Sequence, residues 1–478
     1  MLFPTIDFAI FFAIVFIGNW LLAPFTRTWK LFILAASYVF YGWWDWRFVF
    51  LLAVSTVFTA VGGEFVFRAP SASRRKTALI ATLVAELGLL AWFKYYGFAS
   101  VSIDNALHRL GLHGTVVPLL QITLPVGISF FTFMGLSYVI DIYRGTLRPH
   151  TFLDVAVFVA FFPHLVAGPI VRSADLLPQI GLANERNPRA IDFPQAAYLI
   201  IGGLFKKVIL SSYVSTAIVN PVFASPSAHS GPEILLATYG YAVQIYCDFS
   251  GYTDIAIGCA MLLGFRFPQN FNAPYTARSM QDFWRRWHMT LSSWLRDYLY
   301  VPLGGNRGSR SQMYRNLMIT MLLGGLWHGA AWTFVIWGAI HGVSLCVCHA
   351  RIHWRESHGI EKEPSRPWQI ARQRFVTFHI VCFGWIFFRA DTTANAFTLV
   401  RRLFSDWGGP DPLVRWQVIA VIVFSLSLQY LPKNFARDAQ IVFSRLSVIL
   451  KGAVLASCML IITTLGPPGV APFIYYRF

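Results

Sequence analysis

Apolar residues run along this chain in stretches of roughly 15 to 34 divided by short polar punctuation, the spacing of helices that cross a bilayer. The runs fall near 6–24, 31–45, 48–67, 77–98, 122–143, 151–171, 194–219, 233–264, 316–349, 373–389, 414–431 and 446–466. They predict an all-α polytopic membrane protein with ten to twelve crossings. The 316–349 run is too long for one span and contains Gly324, Gly325 and Gly329, so a break is expected there. The first run begins by Ile6 with no basic stretch before it and continues to Leu22 without a small-residue cleavage site, so it is expected to persist as a span and not as a signal peptide.

Two stretches do not read as spans. Arg172 to Arg189 is polar and carries Pro178 and Pro188, which suits a peripheral or re-entrant connector. Arg278 to Arg315 holds seven Arg and two Asp among aromatics. Within it Trp284, Trp287, His288, Leu291, Trp294, Leu295 and Tyr298 share one helical stripe, with Arg285, Arg286, Arg296 and Asp297 on the rest. An amphipathic helix dipping into the membrane surface is expected. Glu356, Glu361, Lys362, Glu363 and Pro364 read as a flexible loop.

Composition agrees: 56% of the residues are hydrophobic and only 13% charged, outside the range of a soluble chain of this length. The net charge of +17 comes from Lys and Arg in short clusters between apolar runs, the pattern of the positive-inside rule and not of a nucleic-acid binder. Arg27 and Lys30, then Arg68, Arg74, Arg75 and Lys76, are expected on the cytoplasmic side, which puts the N-terminus outside. The six cysteines, mostly within apolar runs, show no zinc-type pairing and are expected to be inert. No internal repeat of the kind that builds two-fold transporters is evident.

The candidate chemistry lies in two histidines wrapped in aromatics, His288 and His328. Imidazole is the side chain that exchanges a proton near neutral pH, and burying it in a nearly charge-free body is costly unless it is paired or faces a cavity. Each has a bland reading, a helix-to-helix hydrogen bond for His328 and an aromatic-belt position for His288. Each also has a catalytic one, His328 as base toward an acceptor hydroxyl and His288 orienting the acceptor or polarising the carbonyl. His341 lies thirteen residues beyond His328, about 220° round a continuous helix and so nearly opposite, although a break at Gly329 would cancel that argument. Asp248 and Asp254 either pair with cations or line a polar cavity, and Lys206 and Lys207 snorkel or hold phosphate. The basic block of Arg285, Arg286, Arg296, Arg307 and Arg310 is either a lipid-facing surface or a grip on a phosphorylated carrier such as coenzyme A. Walker, dinucleotide, GxSxG and HExxH motifs are absent from the sequence.

At 124–133, 162–170, 248–258, 282–300, 324–342 and 385–389 the chain resembles the membrane-bound O-acyltransferase family, and within it the bacterial alginate O-acetyltransferase branch. The resemblance spans nearly the whole chain. It implies a single membrane-embedded acyltransferase domain: an N-terminal bundle (1–145), a catalytic core (146–350) and C-terminal helices (351–478) around a central tunnel. It places the catalytic histidine at His328 and the second polar position at His288. Arg285, Arg286, Arg296, Trp287 and Trp327 would bind the donor, and Asp248, Asp254, Tyr252 and Asp297 would be structural or line the tunnel. It further implies acetyl-CoA as donor, no metal, an exported polysaccharide as acceptor, a periplasmic SGNH-hydrolase-like partner and a bacterial inner membrane. Related members act in teichoic acid D-alanylation or peptidoglycan O-acetylation. From a different class, a flippase or transporter of an anionic lipid-linked sugar would also place ionisable groups inside a membrane body.

Overall fold

A computed structural model describes residues 1–112, 118, 120, 122–360, 365–432 and 434–466, and every regular element among them is a helix. By length and composition five are long and apolar enough to cross a membrane: Arg47–Arg68, Ala72–Arg109, Phe193–Ala224, Trp332–Ser357 and Val448–Leu465. The expected all-α polytopic architecture is present, and the other expected crossings fall on helices that are shorter or less apolar than these. The Ile6–Leu22 and Thr26–Gly42 helices have 17 residues each. The 32-residue Gly231–Leu262 helix carries Glu233, Asp248 and Asp254, which lower its apolar character.

The expected span at 151–171 is instead two short helices, Phe152–Ala160 and Phe162–Leu165, parted at Phe161. A continuous helix would need an N–H from Pro163 that proline lacks, whereas in the first turn of a new helix its absence does no harm. The connector after Arg172 forms the Ser173–Gly181 helix and two short turns. Glu356 belongs to the Trp332–Ser357 helix, and the rest of the expected flexible loop, Glu361 to Pro364, lies outside the described residues.

The chain divides into two compact units, Met1–Ala196 with Ala256–Pro268, and Ala197–Ile255 with Gln269–Phe478. In the first, Ile6, Ile10, Ile14, Ile17 and Leu21 form an exposed stripe while Asn19 is buried, the inside-out arrangement a lipid solvent favours. Buried Glu86 accepts hydrogen bonds from the hydroxyls of Ser55 and Thr59, each at 2.9 Å, so its carboxyl is satisfied across helices. The connector is anchored by Arg186, whose guanidinium lies 4.4 Å from the Trp29 ring and 4.5 Å from the Phe265 ring. It also donates to Asn19 Oδ1 at 3.1 Å and to the Leu263 carbonyl.

In the second unit Gly203 and Gly251 let two helices touch, since a Cβ on either would lie 2.6 Å from the other's carbonyl oxygen. Around that contact Lys206 pairs with Asp254 and Lys207 with Asp248, where the backbone widens into π-type turns over Phe205–Ser211. The 316–349 run breaks as expected, into Arg310–His328 and Trp332–Ser357. These cross closely at Gly325 and Gly338, where a Cβ would lie 2.3 Å from the Phe334 carbonyl oxygen and 2.5 Å from that of Met321, respectively.

Candidate active site

The arginine-rich segment is built differently from the continuous amphipathic helix expected of it. A first helix, Met280–Trp284, is capped by the Ser279 hydroxyl, which accepts from Asp282 N at 3.1 Å. The chain then unwinds. His288 takes up a left-handed backbone, φ 42° and ψ 55°, before Met289–Leu295 resumes the helix. An extended stretch alongside satisfies the groups freed by the break. Met289 N donates to the Asn270 carbonyl and Asn272 N to the Arg286 carbonyl, each at 2.9 Å. The Asn270 side-chain oxygen accepts from Thr290 N at 3.2 Å, from the Thr290 hydroxyl at 2.9 Å and from His288 Nδ1 at 3.1 Å. The apolar stripe is nevertheless buried throughout, from Trp284 to Tyr298. Its pattern reports which residues face inward, and two short helices satisfy it as well as one long helix.

Three imidazoles lie in one aromatic layer. His288 sits 4.7 Å from the Phe249 ring and 5.9 Å from Trp327, centroid to centroid. His328 ends its helix 5.0 Å from Trp327 and 5.1 Å from both Trp337 and Phe388. His341 lies 4.6 Å from the same Trp337 and 5.3 Å from Trp284. The break at Gly329 thus removes the reason for setting His341 opposite His328, because the two belong to separate helices. His288 and His341 are 0% exposed and His328 3%, so all three are enclosed by the surrounding side chains. His288 Nε2 and both ring nitrogens of His341 are buried with no hydrogen-bond partner among the described residues. Such groups are costly and rare.

Next to this layer a cavity of about 400 Å³ is lined by Trp284, Arg285, Ser292, Arg296, Thr320 and Met321, among others. Trp284 belongs to both places, as a cavity wall and as a ring 5.8 Å from Trp337. Of the three arginines expected to grip a donor, Arg285 and Arg296 edge the cavity. Arg286 does not line it, and instead pairs with Asp282 at 2.7 Å one turn earlier. Arg296 also bonds Asp297, at 2.6 and 3.0 Å. Trp287 packs in the aromatic layer, 5.0 Å from Trp385 and 5.1 Å from Phe271, and Trp327 between the two histidines. Asp248 and Asp254 pair with Lys207 and Lys206, and Tyr252 on the same helix is fully buried. No group of three or more metal-ligating side chains occurs among the described residues.

Sequence reasoning missed Asn270 and the tryptophans that complete the layer, Trp337 and Trp385. Asn270 had a signal, one of the two adjacent amides in Phe267-Pro-Gln-Asn-Phe271 ahead of the histidine-bearing segment.

An all-helical membrane body that encloses imidazoles beside an arginine-edged cavity has the makings of a membrane-embedded transferase. The model of the membrane-bound O-acyltransferase family matches residues 12–388. The chain is 41% identical over 439 residues to a probable alginate O-acetylase of Azotobacter vinelandii, covering 90% of this chain and 83% of that one. It is 33% identical over 426 residues to a peptidoglycan O-acetyltransferase of Helicobacter pylori, covering 83% and 78%. A teichoic acid D-alanyltransferase of Bacillus subtilis is 29% identical over 272 residues, 55% and 68% of the two chains. The chain belongs to the membrane-bound O-acyltransferase family, and it is an O-acyltransferase of the membrane.

Proposed function

We propose that this protein, in a bacterial inner membrane with its N-terminus outside, moves an acetyl group from cytoplasmic acetyl-CoA to an exported polysaccharide of the alginate type. Delivery is direct or through the serine of a periplasmic SGNH-hydrolase-like partner. The acceptor hydroxyl attacks the thioester carbonyl, the C–S bond breaks, and the hydroxyl proton ends on the departing thiolate. Of the two imidazoles, His288 and His328, one takes that proton and the other steadies the charge growing on the carbonyl oxygen.

The observation that carries this reading is the pair of enclosed histidines on Trp327 within the same compact unit as the cavity edged by Arg285 and Arg296. That cavity has the size of a small-molecule site, and guanidinium groups at its rim suit the phosphates of coenzyme A. Trp284 would then be the wall through which the thioester meets the histidines. The names of the relatives at 41% and 33% identity favour acetyl as the group moved.

The test is transfer from labelled acetyl-CoA to the glycan by the protein in vesicles, with partner present and absent. Native protein should transfer label, and an inserted His328→Ala variant should not. Native-level transfer by that variant, or sugar flux without any acyl donor, would overturn the reading.

A further inference from the structure

Of the layer's three histidines, His341 is the one with both ring nitrogens buried and no hydrogen-bond partner for either among the described residues. The rings around it are those of Phe283, Trp284, Trp337 and Trp385, with centroids between 4.6 and 6.4 Å away. Trp284 Nε1 and Trp337 Nε1 are in the same condition, buried and without a partner among the described residues. A neutral imidazole has one N–H and one lone pair, so His341 and the two indoles hold three unspent donors and one unspent acceptor. Polar groups gathered unspent in one buried place call for a ligand with complementary atoms.

The position of His341 says which ligand. Trp337, His341 and Leu345 follow one another at intervals of four on the Trp332–Ser357 helix and share a face. Trp337 packs on His328, while Leu345 lines the arginine-edged cavity. His341 lies between them, about 6 Å along the helix axis from each. Its neighbour Trp284 is itself a wall of that cavity. A thioester reaching from the cavity to His328 therefore draws its arm past His341. Opposite Nε2 the facing helix presents Gly384, where a Cβ would lie 3.0 Å from that nitrogen, so this side of the ring is kept clear of a side chain.

We infer that His341 and Trp284 recognise a secondary amide in the arm of the acyl donor, the His341 lone pair accepting from the amide N–H and Trp284 Nε1–H donating to the amide oxygen. The inference rests on the acyltransferase reading above, and adds to the arginines a determinant that needs no phosphate. An amide entering an aromatic layer gives up its water and requires both partners there. The arm of coenzyme A carries such an amide a two-carbon link from its sulfur. That link suits the single indole, Trp337, that parts His341 from His328. His341 itself moves no proton. Without a donor it adds no hydrogen bond to the described fold, so its loss costs affinity and not stability.

The experiment uses the full chain in vesicles with three donors: acetyl-CoA, S-acetyl-N-acetylcysteamine, and the analogue of the latter in which an ester replaces the amide and the thioester is intact. Native protein should prefer the amide compound to the ester about tenfold in kcat/KM. His341→Leu should lose that preference and raise KM for acetyl-CoA about tenfold, with kcat within about twofold. His341→Gln, which offers a donor and an acceptor, should keep the preference. Trp284→Phe, a wall without the N–H, should raise KM for acetyl-CoA as the leucine variant does. No preference in native protein, an unchanged preference in His341→Leu, or a rise in KM for the glycan in place of the donor overturns the inference. If the leucine variant does not fold, Trp284→Phe decides by the same readings. Acetyl on the phosphopantetheine of a carrier protein presents the same amide, and its rate beside that of acetyl-CoA tells which source supplies the arm; use of either upholds the inference. If native protein transfers acetyl from no donor, the function above fails, while pantetheine binding still decides the amide site: binding about tenfold weaker in His341→Leu upholds it and equal binding overturns it.

Discussion

His328 and His341, thirteen residues apart, pack against one indole, Trp337, at 5.1 and 4.6 Å. The contact exists because the chain breaks between the two helices that carry them, where Gly329 admits the Phe334 ring: a Cβ at 329 would lie 2.0 Å from it. His341 is therefore a member of the site's aromatic layer.

His341→Leu should leave stability within about 1 kcal/mol of native or raise it, because it removes two buried ring nitrogens that have no hydrogen-bond partner among the described residues. Thermal unfolding in detergent measures this. A loss of several kcal/mol would mean that the imidazole has a structural partner.

Arg285→Ala and Arg296→Ala should each raise KM for acetyl-CoA about tenfold with kcat little changed, the mark of lost ground-state binding to phosphate. Arg286→Ala should do less, since that side chain faces Asp282 and not the cavity. Initial rates across donor concentrations separate the three. Equal effects would argue for a diffuse basic surface.

Gly338→Ala should destabilise by about 1–3 kcal/mol or more, since its methyl group meets backbone, 2.5 Å from the Met321 carbonyl and 3.1 Å from Leu322 Cα. Gly452→Ala, with nothing within 4 Å of its Cβ, should be neutral or stabilise by up to about 1 kcal/mol. Unfolding midpoints of the two variants provide the comparison.

Lys207→Met should cost about 3–5 kcal/mol by leaving the Asp248 carboxylate without its buried cation, and Lys207→Met with Asp248→Leu should cost clearly less. The order of the single and double variants in a stability assay is the measurement. Equal losses would assign the damage to packing alone.

The buried face and the helix break at the candidate site were legible because they depend on local pattern. The stripe from Trp284 to Tyr298 identified the buried face, and three glycines around 324–329 marked the break. The left-handed turn at His288 was not legible, because it is imposed by Asn270, eighteen positions earlier, whose contacts leave no periodic trace. The division of 151–171 was legible in Pro163 but outweighed by apolar composition. Asp248 and Asp254 looked like cavity or ion-pair acids, and only the approach of Gly203 to Gly251 shows which lysines they meet.

The two lysine–aspartate pairs bear on how the chain enters its membrane. Lys207 and Lys206 are made 41 and 48 positions before the carboxylates that neutralise them. A single helix carrying both would meet hydrocarbon at a penalty of about 2.5–3.5 kcal/mol per lysine. The expected route is therefore joint insertion: the Phe193–Ala224 helix enters lipid at least cost once the Gly231–Leu262 helix, which carries both carboxylates, can enter with it as a hairpin.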